Sequence, residues 1–171
     1  AFALFFPLVT FGYFLLRPGQ RWWFLLLASC VFYMYFRPVY ILVLALTIGI
    51  DYAAGLLMER SSDFRVRRRW LGASLIANIG ILAFFKYWGF LDENLAALTG
   101  WTGSPLRLPV LDVVLPVGLS FHTFQAMSYT FDVYYGRQKA ERHLGIYALY
   151  VMFYPQLVAG PIERPGQLLP Q

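Results

Sequence analysis

The last third of this chain places polar side chains and helix-breaking residues among aromatic residues that are typical of membrane segments. The segment PVGLSFHTFQAMSYTFDVYYG starts at Pro116, and FYPQLVAGPIERPGQLLPQ follows after a short basic loop. Amide and hydroxyl groups can bind a polar ligand, and a histidine or a carboxylate can also move a proton. In hydrocarbon these groups are costly unless protein or water satisfies them. We therefore expect them to line an enclosed cavity or a path.

The segment that follows Pro116 predicts a helix with one polar face. At about 100° per residue, its polar residues and glycines fall within about a third of the circumference. They are Gly118, His122, Gln125, Ser128, Tyr129, Asp132 and Gly136. A membrane helix with such a stripe faces protein or water on that side, so these polar side chains are candidates for lining a cavity. For Gln125 and Ser128 we favour the simpler interpretation, hydrogen bonding between helices.

Asp132 needs a cationic or multi-donor partner, and Lys86 and Arg164 are the candidates. Lys86 lies in the motif FFKYWGF, five residues from the expected outer end of its apolar run. Its long stem can reach the head groups beside Tyr87 and Trp88, which form an aromatic belt. We favour this snorkelling arrangement, or a structural ion pair, over a catalytic lysine.

Two earlier apolar runs contain further polar stripes. Thr47, Asp51 and Gly55 are spaced four residues apart and share one helix face. Asp51 has two interpretations: a carboxylate of a cavity or buried network, or an acid near the cytoplasmic end of its helix. The next run has a stripe made of Ser74, Asn78, Phe85 and Gly89.

The end of the chain predicts a broken element. A helix is plausible as far as Tyr154, and Pro155 then removes a backbone donor and clashes with the preceding turn. Gly-Pro and Pro-Gly pairs farther along exclude a regular continuation. Irregular backbone at membrane depth must be buried in protein or line a wet cavity, and Gln156, Glu163 and Arg164 could supply its missing hydrogen bonds. The alternative is an ordinary loop outside the membrane.

Several specific chemistries find little support. Gly118-Leu119-Ser120 lacks the final glycine and the preceding strand of a nucleophile elbow. His122 and His143 are too far apart in sequence, and too poor in neighbouring ligands, to predict a metal site. We expect His143 to be a solvated loop residue and Cys30, the only cysteine, to be an inert buried thiol. No phosphate-binding glycine pattern is present, so no nucleotide cofactor is predicted.

The composition identifies the class of protein that positions these residues. Hydrophobic residues make up 59% of the sequence and charged residues only 13%, whereas a soluble domain is about 25% charged. Apolar runs occur at about 1–16, 22–36, 39–58, 70–91, 110–135 and 145–160. Because a straight span needs about 20 residues, we predict an all-α, polytopic membrane helix bundle, with the lipid bilayer as its partner and with short, tilted or re-entrant elements. The sequence starts at Ala1 inside an apolar run and stops after QLLPQ, and we expect it to be part of a longer protein.

The basic residues predict the orientation of the bundle. The loops after the first, third and fifth runs contain most of them: Arg17, Arg21, Arg60, Arg65, Arg67, Arg68, Arg69, Arg137, Lys139 and Arg142. Because Lys and Arg are enriched in cytoplasmic loops, we place these three loops in the cytoplasm. The formal charge of +5 follows from this topology, and we expect no nucleic-acid partner.

Four motifs resemble the membrane-bound O-acyltransferase family, and most closely its bacterial alginate O-acetyltransferase branch. They are PVYILVLALTIGIDYAAG at 38–55, FFKYWGF at 84–90, LPVGLSFHTFQAMSYTFDVYYG at 115–136 and FYPQLVAGPIERPGQLLPQ at 153–171. The resemblance covers essentially the whole sequence, which it identifies as the amino-terminal part of one membrane-embedded acyltransferase domain.

The resemblance implies a multi-pass protein of the bacterial inner membrane with a funnel or tunnel. An acyl thioester donor, acetyl coenzyme A or an acyl carrier, would act on the cytoplasmic side as a co-substrate, with no bound cofactor. The acceptor would be an exported polysaccharide such as alginate, or a partner protein outside the membrane. The essential histidine of the family lies in a later segment, so no catalytic residue is assigned here, and the sequence alone is expected to be inactive.

Two alternatives from other classes stay open. A transporter or channel also uses broken helices, but it predicts two repeated halves, which the sequence does not contain. A non-catalytic membrane subunit would use its polar residues only for assembly.

Overall fold

The computed structural model describes residues 2–36, 38–100 and 118–159, and it contains only helices and short connections within these ranges. The helices are α1 (Phe2–Leu15), α2 (Pro18–Phe36), α3 (Tyr40–Arg60), α4 (Phe64–Gly100), α5 (Leu119–Tyr134), α6 (Leu144–Met152) and α7 (Tyr154–Ala159). The prediction of an all-α membrane bundle is confirmed.

The outer surface of this bundle is apolar. Helices α3 and α4 are long and apolar enough to cross a membrane. Their large aliphatic side chains Leu42, Leu46, Ile76 and Ile79 are each more than half exposed. A soluble protein rarely leaves such a surface in water, whereas lipid tails cover it without cost. The exposed faces of α3 and α4 therefore require an apolar cover, from lipid or from another part of a longer protein.

The helices follow the apolar runs with two informative differences. Helix α3 coincides with the predicted run 39–58 within two residues. Helix α4 has 37 residues and extends beyond the predicted run 70–91 at both ends, because helix-forming charged residues continue it outside the apolar core. At 1.5 Å per residue it is about 55 Å long, against about 30 Å of hydrocarbon. The predicted fifth run begins at 110, but 110–117 lies outside the described residues.

The sixth predicted element is two helices rather than one. Helix α6 ends at Met152, Phe153 adopts φ −58° and ψ 105°, and α7 begins at Tyr154. Our prediction that helix continues to Tyr154 and stops at Pro155 was therefore wrong by two residues. Proline is favourable in the first turn of a helix, where its missing N–H has no helical partner. Pro155 thus lies in the first turn of α7, and the break precedes it.

The three loops with most of the basic residues lie at one end of the bundle. Arg67, near the start of α4, donates to the backbone carbonyls of Val133 and Tyr134 at the end of α5. The Tyr52 hydroxyl on α3 donates to the carbonyl of Arg142 at 2.6 Å. Near the start of α2, the ring of Trp22 lies 4.7 Å from that of His143. These contacts agree with the predicted common side, and we call this part of the molecule the basic end.

Helices α3 and α5 approach most closely at Gly55. A Cβ atom added there would lie 2.9 Å from the hydroxyl oxygen of Tyr129. That tyrosine is fully buried, and its hydroxyl accepts a hydrogen bond from the backbone N–H of Glu141 at 2.9 Å. The ring therefore cannot move aside without breaking the contact between α5 and the following loop.

We expect Gly55→Ala to destabilise the protein by about 1–3 kcal/mol through overpacking. Gly49→Ala on the same helix is the control, because nothing lies within 4 Å of a Cβ atom at that position. Thermal unfolding of the two purified variants measures the difference. Equal melting temperatures for the two variants would show that the close approach of α3 and α5 is wrong.

Candidate functional site

The break between α6 and α7 frees two backbone carbonyls inside the bundle. In a continuous helix the N–H of residue 155 would bond to the carbonyl of Val151, but proline has no N–H. The N–H of Tyr154 would likewise bond to the carbonyl of Tyr150, but it donates instead to Ser29 Oγ on α2 at 3.3 Å. Both carbonyls therefore need donors from another element.

Helix α5 supplies these donors. His122 Nδ1 donates to the Val151 carbonyl at 2.5 Å, and Gln125 Nε2 donates to the Tyr150 carbonyl at 2.8 Å. The same Gln125 amide also donates to Gln156 Oε1 on α7 at 3.0 Å. We call Ser29, His122, Gln125 and Gln156 the helix-break cluster. All four side chains are buried, and they connect α2, α5 and α7 across the break.

A second polar group, the carboxylate cluster, lies between α3, α4 and α5. It consists of Asp51, Ser74, Asn78 and Thr130, all at most 1% exposed. Ser74 Oγ donates to Asp51 Oδ1 at 2.5 Å, and Asn78 Nδ2 reaches both carboxylate oxygens at 2.8 and 2.9 Å. Thr130 Oγ1 lies 3.3 Å from Ser74 Oγ. In the described part of the chain, the hydrogen-bond partners of Asp51 are therefore neutral donors.

The two clusters lie at a similar depth. Asp51 is nine residues before the end of α3, and Gln125 is nine residues before the end of α5, in both cases counted from the basic end. Phe153 is nine residues after the start of α6. At 1.5 Å per residue each of these positions is about 14 Å from the basic end. Counted from the edge of a hydrocarbon core of about 30 Å, such a distance corresponds to the middle of the membrane.

Of the two interpretations of Asp51, the structure supports the one in which its carboxylate belongs to a buried network. It is in the middle of α3 and fully buried, which does not fit an acid near the end of the helix. Ser74 and Asn78 were correctly grouped by their spacing, and the structure adds their common partner. Thr130 was missed because it bonds back to the Ala126 carbonyl of its own helix at 2.9 Å, a common behaviour that gives no periodic signal.

The residues of the polar stripe predicted on α5 are not all buried in the structure. His122, Gln125 and Tyr129 are on the buried face. Ser128 and Asp132 are only half-buried at its edge. The buried face also includes two apolar residues, Leu119 and Val133. Whether any of these side chains lines a cavity stays a prediction.

Asp132 has a local partner. Its Oδ1 lies 3.7 Å from Arg137 Nη1 in the following loop. Lys86 is 22 residues along α4 from the basic end, or about 33 Å, whereas Asp132 is two residues from that end on α5. The suggested pairing with Lys86 is therefore wrong, because the two helices place the side chains at opposite ends. The other candidate, Arg164, lies outside the described residues.

Lys86 is exposed on α4, and its Nζ lies 5.6 Å from the centre of the Tyr87 ring. Whether Lys86 snorkels to the head groups stays a prediction. His143 is exposed, as expected of a loop residue, and its Nδ1 accepts from the N–H of Ile146 at 3.3 Å, so it caps the start of α6.

Within the described ranges, no group of three potential metal ligands occurs. The hydroxyl of Ser74 donates to a carboxylate, and the ring of His122 donates to a backbone carbonyl. Neither side chain is therefore part of a Ser–His catalytic pair. The arrangement can therefore fix helices α2 to α7 around a polar interior and present hydrogen-bonding groups there.

The two clusters, together with an apolar outer surface, define an all-α membrane protein with a polar interior. The chain is 34% identical over 170 residues to the probable alginate O-acetylase AlgI of Pseudomonas aeruginosa, and 36% identical over 173 residues to that of Pseudomonas syringae. It is also 31% identical over 198 residues to a peptidoglycan O-acetyltransferase of Helicobacter pylori. These relatives agree with the resemblance to the membrane-bound O-acyltransferase family.

These matches cover 98% of this chain but only 32 to 36% of each relative, so the chain spans about a third of their length. No family model and no solved structure matches it.

Proposed function

We propose that this chain is part of a membrane O-acyltransferase that transfers an acetyl group from a cytoplasmic thioester to an exported polysaccharide. The observation that supports this most strongly is the match to alginate and peptidoglycan O-acetyltransferases along 98% of the chain. The acceptor is then a sugar hydroxyl outside the cytoplasm, with alginate as the first candidate and peptidoglycan as the second.

The described residues serve this reaction by building the interior. Acyl transfer to a hydroxyl needs a general base that reaches the acceptor proton, and donors that stabilise the developing oxyanion. The catalytic histidine implied by the family resemblance is not part of this chain, and we assign no catalytic residue within it. The carboxylate cluster and the helix-break cluster hold α2 to α7 in register, so that groups elsewhere in the protein meet the two substrates.

The proposed orientation places the basic end in the cytoplasm. Lys and Arg are enriched in cytoplasmic loops, and the three basic loops lie together. The donor thioester then approaches from the basic end, and the acceptor approaches from the opposite end. We propose that the protein is a multi-pass protein of the bacterial inner membrane. We further propose that a partner protein outside that membrane receives or delivers the acetyl group.

The test uses the full-length protein, purified and reconstituted into lipid vesicles. An acetyl thioester with a labelled acetyl group is supplied at the basic face, and alginate or peptidoglycan fragments are supplied at the other. We expect labelled, alkali-sensitive acetyl ester on the sugar. A broken helix at mid-depth is also found in transporters. Movement of label across the vesicle without ester formation would therefore support a transporter and contradict the proposed enzyme.

A further inference from the structure

We propose that Tyr33, His122 and Gln125 form a binding site for one hydroxyl group beside the helix break. Each side chain has one buried polar atom without a hydrogen-bond partner among the described residues: the Tyr33 hydroxyl, His122 Nε2 and Gln125 Oε1. The three side chains are 6%, 3% and 0% exposed, respectively. Unpartnered buried polar atoms are rare in folded proteins, and a group of them indicates a missing ligand or water.

The protonation state of His122 follows from its neighbour. The Val151 carbonyl can only accept a hydrogen bond, so the Nδ1 atom that lies 2.5 Å from it bears the proton. In the neutral ring Nε2 is then an acceptor. Gln125 Oε1 is an acceptor as well, because the Nε2 atom of the same amide donates to two oxygens.

Tyr33 provides the complementary donor. Its ring centre lies 5.2 Å from that of His122, with the two planes inclined by 46°. Although the rings touch, the Tyr33 hydroxyl and His122 Nε2 do not bond to each other. Gln125 is three residues from His122 and therefore on the same face of α5. Two acceptors thus lie within one turn of α5, and the ring of the donor Tyr33, on α2, packs against the first of them.

The two acceptors and the one donor determine which chemical group can bind. A hydroxyl group donates to His122 Nε2 and accepts from the Tyr33 hydroxyl. A water molecule can in addition donate to Gln125 Oε1, which gives it the three partners that are typical of buried water. An anion would face two acceptors, and an apolar group would leave all three atoms unpaired. The occupant is therefore the hydroxyl of a water molecule or of the acceptor substrate. Binding of the acceptor substrate rests on the proposed function.

Two substitutions each remove one of the polar atoms. Tyr33→Phe removes only the hydroxyl. His122→Asn keeps a donor near the position of Nδ1 for the Val151 carbonyl and leaves nothing at the position of Nε2. The matched controls are Tyr135→Phe, where the residue is 63% exposed, and His143→Asn, because asparagine is also a good residue at a helix N-terminus.

The experiment measures thermal unfolding and acetyl-transfer kinetics of the full-length protein with each single variant and with the double variant. If the two residues share one hydroxyl, the double variant is no less stable than the worse single variant. An acceptor hydroxyl in the site further predicts that KM for the acceptor rises about tenfold in each variant, with KM for the donor unchanged. A water molecule predicts the stability coupling with kinetic constants within about twofold of the wild type.

Additive effects of the two substitutions on both stability and KM would overturn the site. The failure of the proposed function gives a different result: the wild type transfers no acetyl group, whereas the stability coupling between Tyr33 and His122 persists. In that case the hydroxyl site stands, with water as its occupant.

Discussion

Replacing Asp51 with alanine is expected to destabilise the full-length protein by about 3 kcal/mol or more, which is the largest effect that the structure predicts for a single substitution. The carboxylate accepts hydrogen bonds from Ser74 and Asn78 in a fully buried position. Its removal leaves one N–H of Asn78 unpaired, since the other donates to the Ser74 carbonyl at 3.0 Å. It also leaves the Ser74 hydroxyl with only Thr130 Oγ1, at 3.3 Å. Each unpaired or weakly paired buried group costs about 1–3 kcal/mol. In the membrane interior no water is available to replace the lost acceptor.

The measurement is the thermal unfolding and the monodisperse yield of the purified variant in detergent. The exchange variant with Asp51→Asn and Asn78→Asp provides the control, since it reverses donor and acceptor across the contact between α3 and α4. The amide oxygen that this exchange places on α3 can still accept from Ser74, and we expect the exchange variant to recover at least half of the lost stability. An alanine variant as stable as the wild type would show that the carboxylate cluster does not hold these helices together.

Gln125→Leu is expected to have the second largest effect, about 2–3 kcal/mol. The leucine has a similar volume, but it leaves the Tyr150 carbonyl and Gln156 Oε1 without their donor. The break between α6 and α7 should then become the weakest part of the bundle. Hydrogen–deuterium exchange of the backbone amides near Phe153, together with thermal unfolding, measures both consequences.

Ser128→Ala on the same helix is the matched control for Gln125→Leu. Ser128 is half-buried and makes no hydrogen bond among the described residues, so we expect a change within about 0.5 kcal/mol. If the two variants were equally stable, Gln125 would not support the broken helix, and the assignment of the helix-break cluster would be wrong.

The sequence was sufficient to predict the polar interior because its signal is local. Ser74 and Asn78 are four residues apart, as are Thr47 and Asp51, so helical periodicity alone groups each pair on one face. Pro155, with further glycine and proline residues, likewise predicts an interrupted helix. These features depend only on neighbours along the chain, and the helices of the structure follow them.

The hydrogen-bond partners could not be predicted, because they depend on how separate helices are aligned. Gln156 was expected to satisfy the broken backbone, but Gln125 and His122 on α5 do so, 25 and 29 residues away in sequence from their carbonyl partners. Asp132 was expected to need a cationic or multi-donor partner, with Lys86 and Arg164 as candidates, because a buried carboxylate needs one. The structure instead leaves it half-buried, next to Arg137 in the adjacent loop.

The enclosed polar interior is tested most directly by electron cryomicroscopy of the full-length protein in lipid nanodiscs. The account predicts the Asp51 carboxylate within about 3 Å of Asn78 Nδ2, and a helix interrupted at Phe153 with His122 on the Val151 carbonyl. A map with an unbroken helix through Phe153, or with Asp51 and Gln125 directed into the lipid, would contradict it.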